Sequence, residues 1–211
     1  MKTIINILAL FSILLCLSSC RSVRTYYYLI ETDLVVPRSE KQLPLTVAVN
    51  NVRAPSRYQD QMVYRTSEYE VGFYEYSQWV EQPAEMVRRA LLDALKDSGL
   101  FQRVDPIDIV VNPDLILQSA IVNFDQVVTK AGNSAECELT LELLRGNSGQ
   151  PVWSYDAKAR VAQKDKGKFV EAMSAAVSKG INDAIADMEK SAALQGFSET
   201  TEKGRETKGS M

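Results

Sequence analysis

Polar and apolar positions alternate most cleanly over residues 135–143. Cys137, Leu139, Leu141 and Leu143 fall on one side, and Glu136, Glu138, Thr140 and Glu142 on the other. A period of two is the mark of a strand with one buried and one wet face. Residues 152–161 repeat the pattern, with Trp153, Tyr155, Ala157, Ala159 and Val161 on one side. Arg145-Gly146-Asn147-Ser148-Gly149 between them is turn chemistry. Residues 114–128 are almost continuously apolar (Leu115, Ile116, Leu117, Ala120, Ile121, Val122, Phe124), which suits a central strand covered on both faces. These three stretches predict a meander. Residues 25–30 and 45–49 read as further strands, and residues 62–65 and 69–74 as a hairpin about Thr66-Ser67. The polar, proline-bearing stretches 37–44 and 50–60 read as connections.

The period changes to 3.6 twice. Met86, Val87, Ala90, Leu91, Ala94 and Leu95 follow Pro83, a residue suited to the first helical position, and Ser98-Gly99 stops the pattern. Leu100 and Phe101 are expected to tuck under that helix end. Phe169, Met173, Ala176, Val177, Ile181, Ala184, Ile185 and Met188 form the stripe of a long helix over residues 168–194, with Gly180 as a weak point inside it. Residues 195–211 are polar and predict a disordered tail. The expected fold is α+β: a mostly antiparallel sheet of about six strands, with two helices packed on one face, in a single domain over residues 25–194.

The first residues follow another logic. Met1-Lys2 is a short positive start, residues 4–17 are an apolar run, and Leu17-Ser18-Ser19-Cys20 has the form of a lipobox. The run is too short for a comfortable bilayer span of about 20 residues. Residues 1–19 therefore read as a lipoprotein signal peptide, Cys20 as the lipid attachment site, and residues 20–24 as a lipidated tether. Arg21 stands where Asp would hold an enterobacterial lipoprotein in the inner membrane, so the expected location is the outer membrane, lipid-anchored and facing the periplasm.

Composition narrows the chemistry. The 211-residue chain carries 24 Lys+Arg against 27 Asp+Glu, a formal net charge of −3, and no histidine. A mildly acidic, dispersed charge is unlike a nucleic-acid binder. Without histidine, the usual general base and the usual zinc ligand are missing, and so is every Ser-His-Asp arrangement. Of three cysteines, Cys16 leaves with the signal and Cys20 is acylated. Cys137 is then either a reactive thiol or, as its strand position favours, a small buried hydrophobe. Glu136, Glu138 and Glu142 read as a solvated strand face, with a carboxylate cluster for metal or acid–base work as the alternative. No calcium loop or phosphate loop is recognisable. The expectation is a protein that is not an enzyme, with no cofactor and no metal.

One segment is unusually aromatic: Tyr58, Tyr64, Tyr69, Phe73, Tyr74, Tyr76 and Trp79 fall within 22 residues. It reads as a packed hairpin, or as a surface meeting a partner or lipid. Tyr26-Tyr27-Tyr28-Leu29, Met62-Val63-Tyr64-Arg65, Tyr74-Glu75-Tyr76-Ser77-Gln78-Trp79, Pro83, Ser98-Gly99-Leu100-Phe101, Asp114-Leu115-Ile116-Leu117 and Ile121-Val122-Asn123-Phe124 come in an order and spacing that resemble the ABC-type transport auxiliary lipoproteins. That family includes paraquat-inducible protein C. The resemblance covers roughly residues 26–188. It implies a non-catalytic accessory role beside an ABC transporter and a mammalian-cell-entry (MCE) domain protein that move lipids or other hydrophobic compounds between membranes. Tyr64, Arg65, Tyr76 and Trp79 match its recurring pattern and are the candidate partner-binding residues. A homo-oligomer at a tunnel end suits such a role. The alternatives are a structural or assembly lipoprotein binding peptidoglycan or an outer-membrane machine, and a histidine-free hydrolase.

Overall fold

The computed structural model describes residues 23–163 and 168–209. Residues 1–19, expected to be a signal peptide, and Cys20 lie outside the described residues. Eight strands make one mixed sheet. They are β1 (Tyr26–Tyr28), β2 (Leu43–Val49), β3 (Gln61–Arg65), β4 (Val71–Trp79), β5 (Phe101–Pro106), β6 (Leu115–Thr129), β7 (Gly132–Arg145) and β8 (Pro151–Ala162). Among the described residues three helices accompany them: α1 (Pro83–Ser98), α2 (Phe169–Lys190) and α3 (Ala192–Gly209).

The sheet forks at β6. Along one edge β6 pairs antiparallel with β7, and β7 with β8, which is the predicted meander. Along its other edge β6 takes two parallel neighbours. Leu115–Leu117 pair with β2, which continues to β5. Gln126 and Val127 pair with Tyr64 and Arg65 of β3, which continues antiparallel to β4 and then parallel to β1. The crotch between the arms is filled by the 50–60 connection, whose Arg53 bridges Ala120; the Arg53 amide donates to Ser119 and its carbonyl accepts from Ile121.

The sheet is therefore mixed, not mostly antiparallel, and has eight strands rather than about six. The difference has a physical cause. Alternation within a strand reports which face is buried, but not the direction of a neighbour many residues away. The strand β5 is missed because only Phe101 and Val104 of its six residues are buried.

The helices α1 and α2 pack against each other; α1 lies on β5 and β2, and α2 on β7 and β8. The stripe predicted for α1 is buried almost residue for residue, and Gly99 caps it at φ 61°, a left-handed conformation natural to glycine. The long C-terminal helix breaks at Ser191, and the expected disordered tail continues as α3. Leu194 is buried, Phe197 packs on the core and the Arg145 guanidinium lies 5.0 Å over the Phe197 ring. Two apolar residues one turn apart are enough to dock a polar helix, although they are too few to show as a stripe.

Candidate functional site

The hairpin β3–β4 carries the four residues singled out in the sequence. Its tip is closed by local chemistry. The Thr66 amide donates to Glu70 O at 3.2 Å, and the Ser67 hydroxyl accepts from the amides of Tyr69 and Glu70 at 3.3 and 3.1 Å. This side-chain mimic of a turn is a habit of serine.

The structure gives the four residues different surroundings. Trp79 is only 3% exposed. Its ring meets Phe124 at 5.7 Å and Phe169 of α2 at 6.0 Å, so it ties the hairpin to the core. Tyr64 lies across Gly72, where a Cβ would come within 2.2 Å of the Tyr64 ring, and packs on Tyr74 with centroids 5.1 Å apart. The Tyr74 hydroxyl donates to Gln126 Oε1, and Gln126 Nε2 donates to Gln163 Oε1 at 2.7 Å. Tyr76 is 39% exposed, with its hydroxyl donating to Glu75 Oε1 at 2.7 Å.

Arg65 is the centre of a charge network that the sequence reading did not assemble. Its Nη2 donates to Glu136 Oε1 at 2.8 Å. Its Nε lies 2.5 Å from Asp125 Oδ2, an ion-pair contact off the line that a hydrogen bond needs. Asp125 Oδ1 accepts from the Tyr58 hydroxyl at 2.6 Å, and Arg160 Nε donates to Glu136 Oε2 at 2.7 Å. The network spans β3, β6, β7 and β8. Asp125 and Glu136 stand opposite each other in the β6–β7 register, and the pairing of Arg65 with Val127 puts the arginine on the same sheet face.

Burial and charge act against each other here. Asp125 is 0% exposed, and burial raises its carboxyl pKa despite the Tyr58 hydrogen bond and the nearby Arg65 charge. Glu136 is 3% exposed, but there burial is outweighed by Arg160 and Arg65, which hold its carboxyl below the usual range. Burial of the Tyr58 hydroxyl, with Asp125 beside it, pushes that group up to about 12.

Glu136 is thus not part of a solvated strand face. Glu138 pairs with Lys158 at 3.2 Å and accepts from Asn123, and Glu142 is exposed. Among the described residues no group of side chains is arranged to hold a metal ion. Cys137 is buried, and that burial pushes its thiol up to about 12, the state of a small core residue rather than of a nucleophile. The signal that could have exposed the network is Asp125, the one charged residue in β6. A charge at such a position needs a partner.

A cleft of about 890 Å³ opens between the segment after β1 and α2, lined by Glu31, Asp33, Glu171, Ser174, Lys179 and Asp183 among others. Lys179 is paired with Asp183 at 2.6 Å. Among the described residues no helix is long and apolar enough to cross a membrane.

Comparison with known proteins places this architecture. No curated protein matches the sequence. The crystal structure of protein XCC0632 from Xanthomonas campestris superposes with a TM-score of 0.64 at 16% identity, over 87% of this chain and 99% of that one. The crystal structure of an uncharacterized protein does so with a TM-score of 0.57 at 17% identity, over 80% and 98%. At such identities the likeness is one of fold. Residues 27–186, the sheet with α1 and most of α2, match the family described as the ABC-type transport auxiliary lipoprotein component, and the chain belongs to that family.

Proposed function

We propose that the protein is an outer-membrane-anchored accessory lipoprotein of an ABC/MCE-type transport system for lipids or other hydrophobic compounds. It acts as a non-catalytic docking component, tethered through Cys20 and facing the periplasm. The observation that carries this reading is the family match across the whole sheet. The lipobox at Leu17-Ser18-Ser19-Cys20 supports it from outside the matched region. Two or more acyl chains at Cys20 anchor a protein stably, where one does not.

Within the hairpin, Tyr76 is the member of the candidate set exposed enough to meet a partner directly. Tyr64, Arg65 and Trp79 set the shape of the strand pair that presents it. The charge network suits this role, because it joins the hairpin to the meander by directed contacts.

Purification of the protein from crosslinked cell envelopes tests the reading. It should recover an MCE-domain protein or a component of the ABC transporter, and Tyr76→Ala should reduce the yield several-fold. Recovery of peptidoglycan or of an outer-membrane assembly machine instead favours the structural alternative. The Cys20→Ala variant should leave the membrane fraction or remain uncleaved, and normal cleavage with unchanged fractionation would remove the anchor from the proposal.

A further inference from the structure

The sheet is unevenly dressed. The helices cover one face. On the other face β3 is still covered, with Val63 buried and Arg65 in the charge network, but the outer strands β4 and β1 are exposed there and carry large apolar side chains. Tyr28 and Tyr74 pack toward the core, so strand alternation turns Tyr27 and Phe73 the other way. Tyr27 is 62% exposed and Phe73 46%. Val71 is exposed beside them, and Tyr69 at the hairpin tip is 94% exposed. Single exposed apolar residues are ordinary, but a group of them on one arm calls for a surface that covers it.

The direction of β1 identifies that surface. The strand runs parallel to β4, with Tyr26 opposite Ser77. The chain before Tyr26 is therefore on the side of the hairpin tip. Cys20 lies six residues before Tyr26, a reach of at most about 20 Å. Val71 lies six residues before Ser77 on β4, also about 20 Å at the rise of a strand. The tether thus lets an acylated Cys20 come level with Val71, Phe73 and the tip. The Arg24 guanidinium sits 5.7 Å over the Tyr26 ring, where the tether enters β1.

We propose that this arm is a membrane-interface surface, on which Tyr27, Tyr69, Val71 and Phe73 enter the head-group region of the bilayer that holds the acyl chains of Cys20. Tyrosine suits that depth because its ring is apolar and its hydroxyl wet. The hairpin also carries Glu68, Glu70 and Glu75, which an anionic surface repels. The contact is therefore apolar, and salt, which screens that repulsion, does not weaken it, unlike a polybasic one. It turns a tether into a fixed seat, with the helix layer presented away from the lipid. The inference rests on the lipoprotein reading of Cys20.

The test uses the full-length acylated protein, reconstituted in vesicles of phosphatidylethanolamine with a minority of phosphatidylglycerol. The Cys137 thiol is buried and Cys20 is acylated, so a bimane label goes to an introduced cysteine. Tyr27→Cys reports the arm, and Asp93→Cys on the exposed side of α1 serves as control. Doxyl-labelled lipid should quench the label at position 27 several-fold more than at position 93, and no less at high salt than at low. Equal quenching at both positions, on protein whose intact mass shows the acyl chains, overturns the membrane seat and leaves the anchor standing. Quenching abolished by salt overturns the apolar contact. A label at position 27 that stays in water until an MCE-domain protein is added marks a protein interface and overturns the proposal. A mass without acyl chains removes both the seat and the anchor.

Discussion

The two arms of the forked sheet start from the same strand and end in different environments. The arm of β2 and β5 leaves the first half of β6. Leu43, Leu45, Val47 and Val49 are buried beneath the helix layer, and Ala48, which faces the other way, is buried too. The arm of β3, β4 and β1 leaves the second half, and β4 is exposed at Val71, Phe73 and Tyr76. The first arm is held by apolar packing. The second is held at its root by Arg65, Asp125 and Glu136, and at its far end by Trp79. A directed ion network fixes an orientation without covering a face, and that leaves the outer arm free to present one. That buried ions supply this specificity is a hypothesis for this fold, and the variants that follow put it at risk.

The largest effect is expected at the root of the exposed arm. Arg65→Ala leaves two buried carboxylates short of a partner and should cost about 3–5 kcal/mol in denaturant unfolding. A loss below about 1 kcal/mol would show that the arm is held by packing alone. Leu45→Ala in the covered arm should cost roughly 2–5 kcal/mol by the same measurement, because it opens a cavity under the helices. Gly72→Ala should cost about 1–3 kcal/mol by overpacking against the Tyr64 ring. Combining it with Tyr64→Ala should recover part of that loss, and a strictly additive pair would show that the ring does not rest on Gly72.

Acid separates the arms by chemistry. The folded pKa of Glu136 lies below its unfolded value, so its contribution is present above about pH 4.3 and is lost as pH falls through the folded value. Asp125 works in the opposite sense, because burial raises its pKa. Glu136→Gln should therefore lower stability at neutral pH and flatten the acid limb of the unfolding free energy relative to wild type. An unchanged slope would remove Glu136 from the acid response. The smallest effect is expected on the open face, where Phe73→Ser should shift stability by no more than about 0.5 kcal/mol while weakening lipid contact. A larger loss of stability would mean that Phe73 is packed and not presented.

Much of the site was legible, residue by residue, without its geometry. The aromatic density of residues 58–79 pointed to the hairpin, and the resemblance picked out Tyr64, Arg65, Tyr76 and Trp79. Nothing local separates the buried Trp79 from the exposed Tyr76 three positions earlier. Between β3 and β4 the register shifts somewhere across Phe73–Gln78. A bulge of that kind changes which side chains face the core and leaves no mark in the alternation. The role of Arg65 was hidden for another reason. Its partners lie 60 and 71 positions away, on strands that meet only when β3 docks on β6.

By itself the sequence determined the elements whose burial has a strong period: the meander, the two amphipathic helices and the hairpin. It also contains the Leu17-Ser18-Ser19-Cys20 motif, written in neighbouring residues, and no histidine. The tertiary structure decided the fork at β6, the parallel pairing of both arms, the docking of α3 and the charge network. These depend on contacts between residues far apart in the chain, whose entropic cost is repaid only when the whole sheet assembles. The tertiary structure also decided which face of the outer arm is left bare.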